Sequence, residues 1–150
     1  MMRMNYRALA GAALAASFIA PCAARATGTA LIQQPDGTQK TYSGVRIVVL
    51  DASLAVTSAD GKGTVLFGKA ACTKVGELVE CLPYDATLFQ NGEKLHIALK
   101  SGTVWLNPTD TAQPLRHSST QLPPRGVSLA VQTKRGTFVT LTGTVDEVRK

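Results

Sequence analysis

"ACTKVGELVEC", residues 71–81, holds two of the chain's three cysteines, with eight residues between them and a Gly-Glu pair near the centre. A metal, a redox couple or a staple could each need two cysteines. Zinc takes four ligands, and the two histidines, His96 and His117, do not fall at finger spacing. Thiol–disulfide catalysis favours C-x-x-C rather than C-x8-C. If Gly76-Glu77 forms a two-residue turn, glycine stands first, as a type II′ hairpin requires. Val75 then faces Leu78, and alternation outward sets Cys72 opposite Cys81. In this register the cysteines form a non-hydrogen-bonded pair with α-carbons about 4.5 Å apart, within disulfide reach. The stretch therefore predicts a β-hairpin stapled by Cys72–Cys81.

Outward from that hairpin, turn signals recur: "PDGT" at 35, "ADGKG" at 59, "QNGE" at 90, "KSGT" at 100 and "KRGT" at 134. Short β-branched runs lie between them, among them "VRIVVL", "SLAVTS", "TVLF", "LHIAL", "TVWL", "VSLAV" and "TFVTLTGTV". Many short strands at this spacing predict an all-β fold, a single small domain of antiparallel hairpins arranged as a sandwich or a partly open barrel. Only "VDEVRK" at the C-terminus carries a helical signal.

Asn91-Gly92 is a strong hairpin dipeptide and sets Gln90 against Glu93, Leu88 against Leu95 and Ala86 against Ile97. Read as a second turn, Ser101-Gly102 sets Leu99 against Val104 and Ile97 against Leu106. Both registers place the apolar residues on one face, so a three-strand meander over 84–107 is expected. Its other face carries His96, Lys100, Trp105 and Asn107, with Trp105 across from Ala98. "NPTDTAQPLRHSSTQLPPRG", residues 107–126, follows: four prolines, few apolar groups and a polyproline "LPPR". It reads as a surface crossover between sheets, or as a functional loop.

The compartment is read from the first residues. "MMRMNYR" is basic, "ALAGAALAASFIA" is apolar but too short to span a bilayer, and Ala24-Arg25-Ala26 is an A-x-A site. Residues 1–26 therefore read as a cleaved signal peptide and 27–150 as the domain, with no transmembrane segment in the mature chain. Lipid attachment at Cys22 is disfavoured by the proline before it. The Ala-rich leader suggests a bacterial protein, periplasmic or secreted, and an oxidising compartment makes a disulfide the default for the remaining pair. The leader also takes Arg3, Arg7 and Arg25 with it. Thirteen basic residues then stand against ten acidic ones, a net +3 rather than +6. A mild, scattered excess does not make the clustered stripe that nucleic acid requires.

Catalytic patterns are thin. His117-Ser118-Ser119 with Asp110 nearby invites a hydrolase reading, yet there is no G-x-S-x-G elbow. No glycine-rich phosphate loop leads into a helix, and no cofactor or metal is implied. The expectation is a non-enzymatic binding or interaction module of the cell envelope, with a protein or envelope component as partner. Trp105, His96, Lys100 and Arg116 are its candidate binding residues. The alternatives are an assembly subunit that pairs through an edge strand and a small hydrolase using the His117 region.

Overall fold

The structure is a computed structural model that describes residues 26–110, 114–117 and 120–149, without the side chains of Lys69, Ala70 and His117. Apart from Ala26, the expected leader lies outside the described residues. So do Ser118 and Ser119.

The strands are β1 (Gly28–Gln33), β2 (Gln39–Val49), β3 (Ser53–Thr57), β4 (Gly63–Val75), β5 (Leu78–Gln90), β6 (Glu93–Leu106), β7 (Leu115–His117), β8 (Thr120–Leu122), β9 (Gly126–Thr133), β10 (Phe138–Thr144) and β11 (Glu147–Val148). Eight of them close an antiparallel barrel in the order β1-β2-β3-β4-β5-β6-β9-β10, with β10 returning to β1. The all-β, hairpin-built expectation holds. The barrel is fully closed, and every other neighbour in it follows the last in sequence once the β7–β8 hairpin is set aside.

The stapled hairpin has the register that its turn dictates, with Val75 opposite Leu78 and Cys72 opposite Cys81, and the disulfide is formed across α-carbons 4.1 Å apart. Gly76 has φ 62°, and Glu77 stays out of the left-handed region, as a type II′ turn needs. At the next hairpin Asn91 (φ 55°) and Gly92 (φ 76°) are both left-handed, the type I′ geometry, and all three expected pairs from Gln90–Glu93 to Ala86–Ile97 are present.

The second half of the expected meander is different. Ser101-Gly102 is not a turn: β6 runs straight through it, and Val104 faces Cys81 on β5 and Leu129 on β9. Along β9 the register shifts between Gln132, opposite Ser101, and Thr133, opposite Leu99, so Lys100 bulges out. A bulge adds one residue and reverses the alternation, as a two-residue turn also does. That is why Leu99 and Val104, of opposite parity, still both face inward. Gly102 serves close approach here, since a Cβ on it would lie 2.5 Å from Val131 Cγ1. The expected C-terminal helix is also absent. "VDEVRK" supplies β11, a short strand parallel to the end of β2. Asp146 accepts from the Ile47 amide at 2.7 Å, and Glu147 pairs with Arg46 and Arg149.

Eight strands enclose a space just wide enough to be filled by side chains. Ile47, Leu54, Leu129, Leu141, Val104 and Val127 fill it and are almost fully buried, with Phe67, Cys81 and Ala86 among them. Each large one contributes about 1.5–3 kcal/mol by leaving water. The seam between β10 and β1 relies on two glycines. A Cβ on Gly28 would meet Val45 Cγ2 at 2.5 Å, and one on Gly143 would meet the Gly28 α-carbon at 2.6 Å.

Candidate functional site

With the barrel interior filled, ligand chemistry falls to the outer surface. The Pro-rich segment 107–126 is not a crossover between sheets, because β6 and β9 are themselves neighbours. It leaves and re-enters one wall of the barrel and carries the β7–β8 hairpin, in which Leu115 faces Leu122 and His117 faces Thr120. Asn107, expected on the outer face, is 2% exposed and ties this segment down. Its Nδ2 donates to the carbonyls of Leu122 (3.2 Å) and Pro123 (2.9 Å), while its Oδ1 accepts from the amide and hydroxyl of Thr109 at 3.0 and 2.9 Å. The Asn107 amide donates to Gly126 O at 2.9 Å, so both ends of the excursion meet at one side chain.

The four candidate residues do not form one patch. Trp105 sits across from Glu80 and Ser128, not Ala98. His96 is nine positions away on the same strand, roughly 30 Å if that strand were straight. His96 lies opposite Thr87 with its Nε2 3.3 Å from Asp85 Oδ2, in a side-chain pair that is 63% exposed on the histidine side. Beside them the Tyr84 ring covers Gly68, where a Cβ would come 2.7 Å from Tyr84 Cζ. Lys100 is the exposed bulge residue between these two ends. Among the described residues no group of three His, Cys, Asp or Glu side chains could hold a metal ion.

Trp105 is half-buried. Because Val104 is buried in the core, Trp105 faces outward by alternation, in a row that runs Glu80, Trp105, Ser128, Thr142, Thr29 across five neighbouring strands. The row borders an open groove of about 550 Å³ between the β7–β8 hairpin, β9, β10 and the start of the domain. Thr27, Thr120, Gln121, Leu122, Pro123, Val127, Ser128, Thr142, Gly143 and Thr144 line it. At one wall the hydroxyls of Thr27 and Thr144 lie 2.7 Å apart, and the Thr144 amide donates to Thr27 Oγ1 at 3.1 Å. At the other, Arg116 Nη2 donates to Gln121 Oε1 at 2.6 Å, which turns the Gln121 amide nitrogen away from the guanidinium. The structure thus brings Trp105 to the groove through Ser128 and Arg116 through Gln121, and leaves His96 and Lys100 outside it.

Sequence reasoning missed Ser128, Thr142, Thr144 and Gln121. The alternating threonines at 140, 142 and 144 in "VTLTGTV" were a signal that one face of that strand is hydroxylated.

Comparison with known proteins gives no match to a family, to a curated relative or to a solved structure. Among the described residues no helix is long and apolar enough to cross a membrane.

Proposed function

We propose that the protein is an exported, non-enzymatic binding module of the bacterial cell envelope, and that its binding surface is the groove beside Trp105. The observation that carries this reading is the contrast between a barrel filled with aliphatic side chains and an outer groove in which hydroxyl and carboxamide side chains stand over apolar surface. A small β-domain stapled by Cys72–Cys81 is compatible with an oxidising compartment, where such a bond persists. The charge count of the expected mature chain and the scatter of its basic residues favour an envelope partner over nucleic acid.

A photo-crosslinking amino acid at Thr142, in the groove, should capture an envelope component in cells, whereas the same group at Tyr42 should not. Equal labelling from both positions, or none from Thr142, would reject the groove as the binding surface.

A second reading, assembly through a sheet edge, draws on β4. Its partner β3 ends opposite Gly68, so, among the described residues, 71–75 pair with β5 on one side only. As a non-hydrogen-bonded pair with Cys81, Cys72 directs its N–H and C=O away from β5, and Lys74 repeats this two residues on. Such an edge is a template for another strand.

A further inference from the structure

Along the groove, among the described residues, five side chains end in hydroxyls (Thr27, Thr120, Ser128, Thr142 and Thr144), one ends in a carboxamide (Gln121), and none is charged. The cation at the wall, Arg116, is held on Gln121 Oε1 behind this lining. Hydroxyls and amides both donate and accept, so they can exchange hydrogen bonds with the hydroxyls of a ligand without desolvating an ion. Leu122 and Pro123 add an apolar floor, a mixture typical of sites that orient a neutral ligand. The groove is open along its length, which suits an extended chain better than an enclosed small molecule. At its border the Trp105 indole shares a sheet face with Ser128. A flat aromatic with one polar atom offers an apolar surface to the C–H face of a sugar ring.

We propose that this groove binds an uncharged polysaccharide, whose hydroxyls meet Ser128, Thr142, Thr120 and Gln121 while one ring rests beside Trp105. The inference rests on the binding-module reading and names its ligand class.

Trp105 is the chain's single tryptophan, so its emission reports on this border alone. The purified protein would be titrated with maltohexaose, cellohexaose and N-acetylchitohexaose, with hexagalacturonate as the charged control. The expected result is a saturable emission change with at least one neutral hexamer and none with hexagalacturonate. Thr142 is exposed, so Thr142→Glu should leave the melting temperature unchanged and weaken that binding about tenfold or more. Thr142→Ser should keep it. The proposal fails if no neutral hexamer binds up to millimolar concentration, if only hexagalacturonate binds, or if Thr142→Glu binds as well as the parent. Should the groove crosslinker still capture an envelope component in those cases, only the ligand class is wrong. Loss of both signals removes the binding-module reading as well.

Discussion

Asn107 shows how a single polar side chain can fix a long, otherwise loosely built segment. It is buried, its amide is fully used, and its partners lie on both arms of the Pro-rich excursion. Asn107→Ala removes the bonds to the Leu122 and Pro123 carbonyls and those from Thr109, though Pro123 O keeps another donor in the Gly126 amide, and should cost about 2–3 kcal/mol in urea unfolding. Asn107→Asp replaces two N–H donors by a carboxylate facing two carbonyls and should be at least as damaging. Equal midpoints for the parent and Asn107→Ala would show that the excursion holds itself. Nothing in "WLNPTD" marks this asparagine as buried, because the carbonyls its Nδ2 reaches are more than a dozen residues away. The turn residues were legible for the opposite reason. Gly76, Asn91 and Gly92 hold left-handed backbone that follows from their own chemistry. Gly102 shows the limit of that logic. Ser-Gly suits a turn equally well, and what decided against it was the approach of Val131 from a strand 29 positions away.

At the scale of elements, hairpin pairings could be read wherever a two-residue turn set them, and the β4–β5 and β5–β6 hairpins follow. Pairings that begin in long connections could not. β11 is the clearest case. Two residues of strand carry no periodic signal, and their place beside β2 depends on Asp146 and Glu147 finding Ile47 N and Arg46. The Arg149 guanidinium, bonded to Glu147, holds that carboxyl below its usual range, with further help from its own charge and from Arg46. Asp36 and Asp60 are held low in the same sense by Thr38 and by Ser58 and Lys62 at their turns. A carboxyl whose value is lowered on folding adds stability above its unfolded value and loses it as pH falls through the folded one. Thermal midpoints should therefore stay level from neutrality down to about pH 4.5 and decline below it. Glu147→Gln should remove part of that acid decline, and an unaltered acid limb would show that the β11 clasp has no share in it.

At the scale of the molecule, the all-β class and hairpin architecture were legible. Closure was not, since the seam rests on Gly28 and Gly143, whose significance appears only when their strands meet. The groove was half legible: Trp105 and Arg116 were singled out, but the uncharged lining between them comes from strands that no local pattern brings together. The open edge of β4 raises the question of oligomers. Lys74 and the register shifts between Gly68 and Ala71 are the features by which sheet edges resist pairing. The protein should elute as a monomer at every concentration in size-exclusion chromatography. A concentration-dependent dimer, abolished by Lys74→Pro, would decide instead for assembly through the edge. The closing seam has one more consequence, and it concerns time. Chains are made N-terminus first, and Thr27 must wait for Thr144, 117 positions later, before their hydroxyls meet. Hairpins from β4 to β6 can form as they emerge, yet β1 and β2 must hold an unpaired edge until β10 arrives. Because loop closure lowers the chance of such distant encounters, the last step is the slow one. A chain released before Phe138 would therefore be an incomplete cylinder with its aliphatic interior open along one side, and so a substrate for chaperones and proteases rather than a smaller version of the domain.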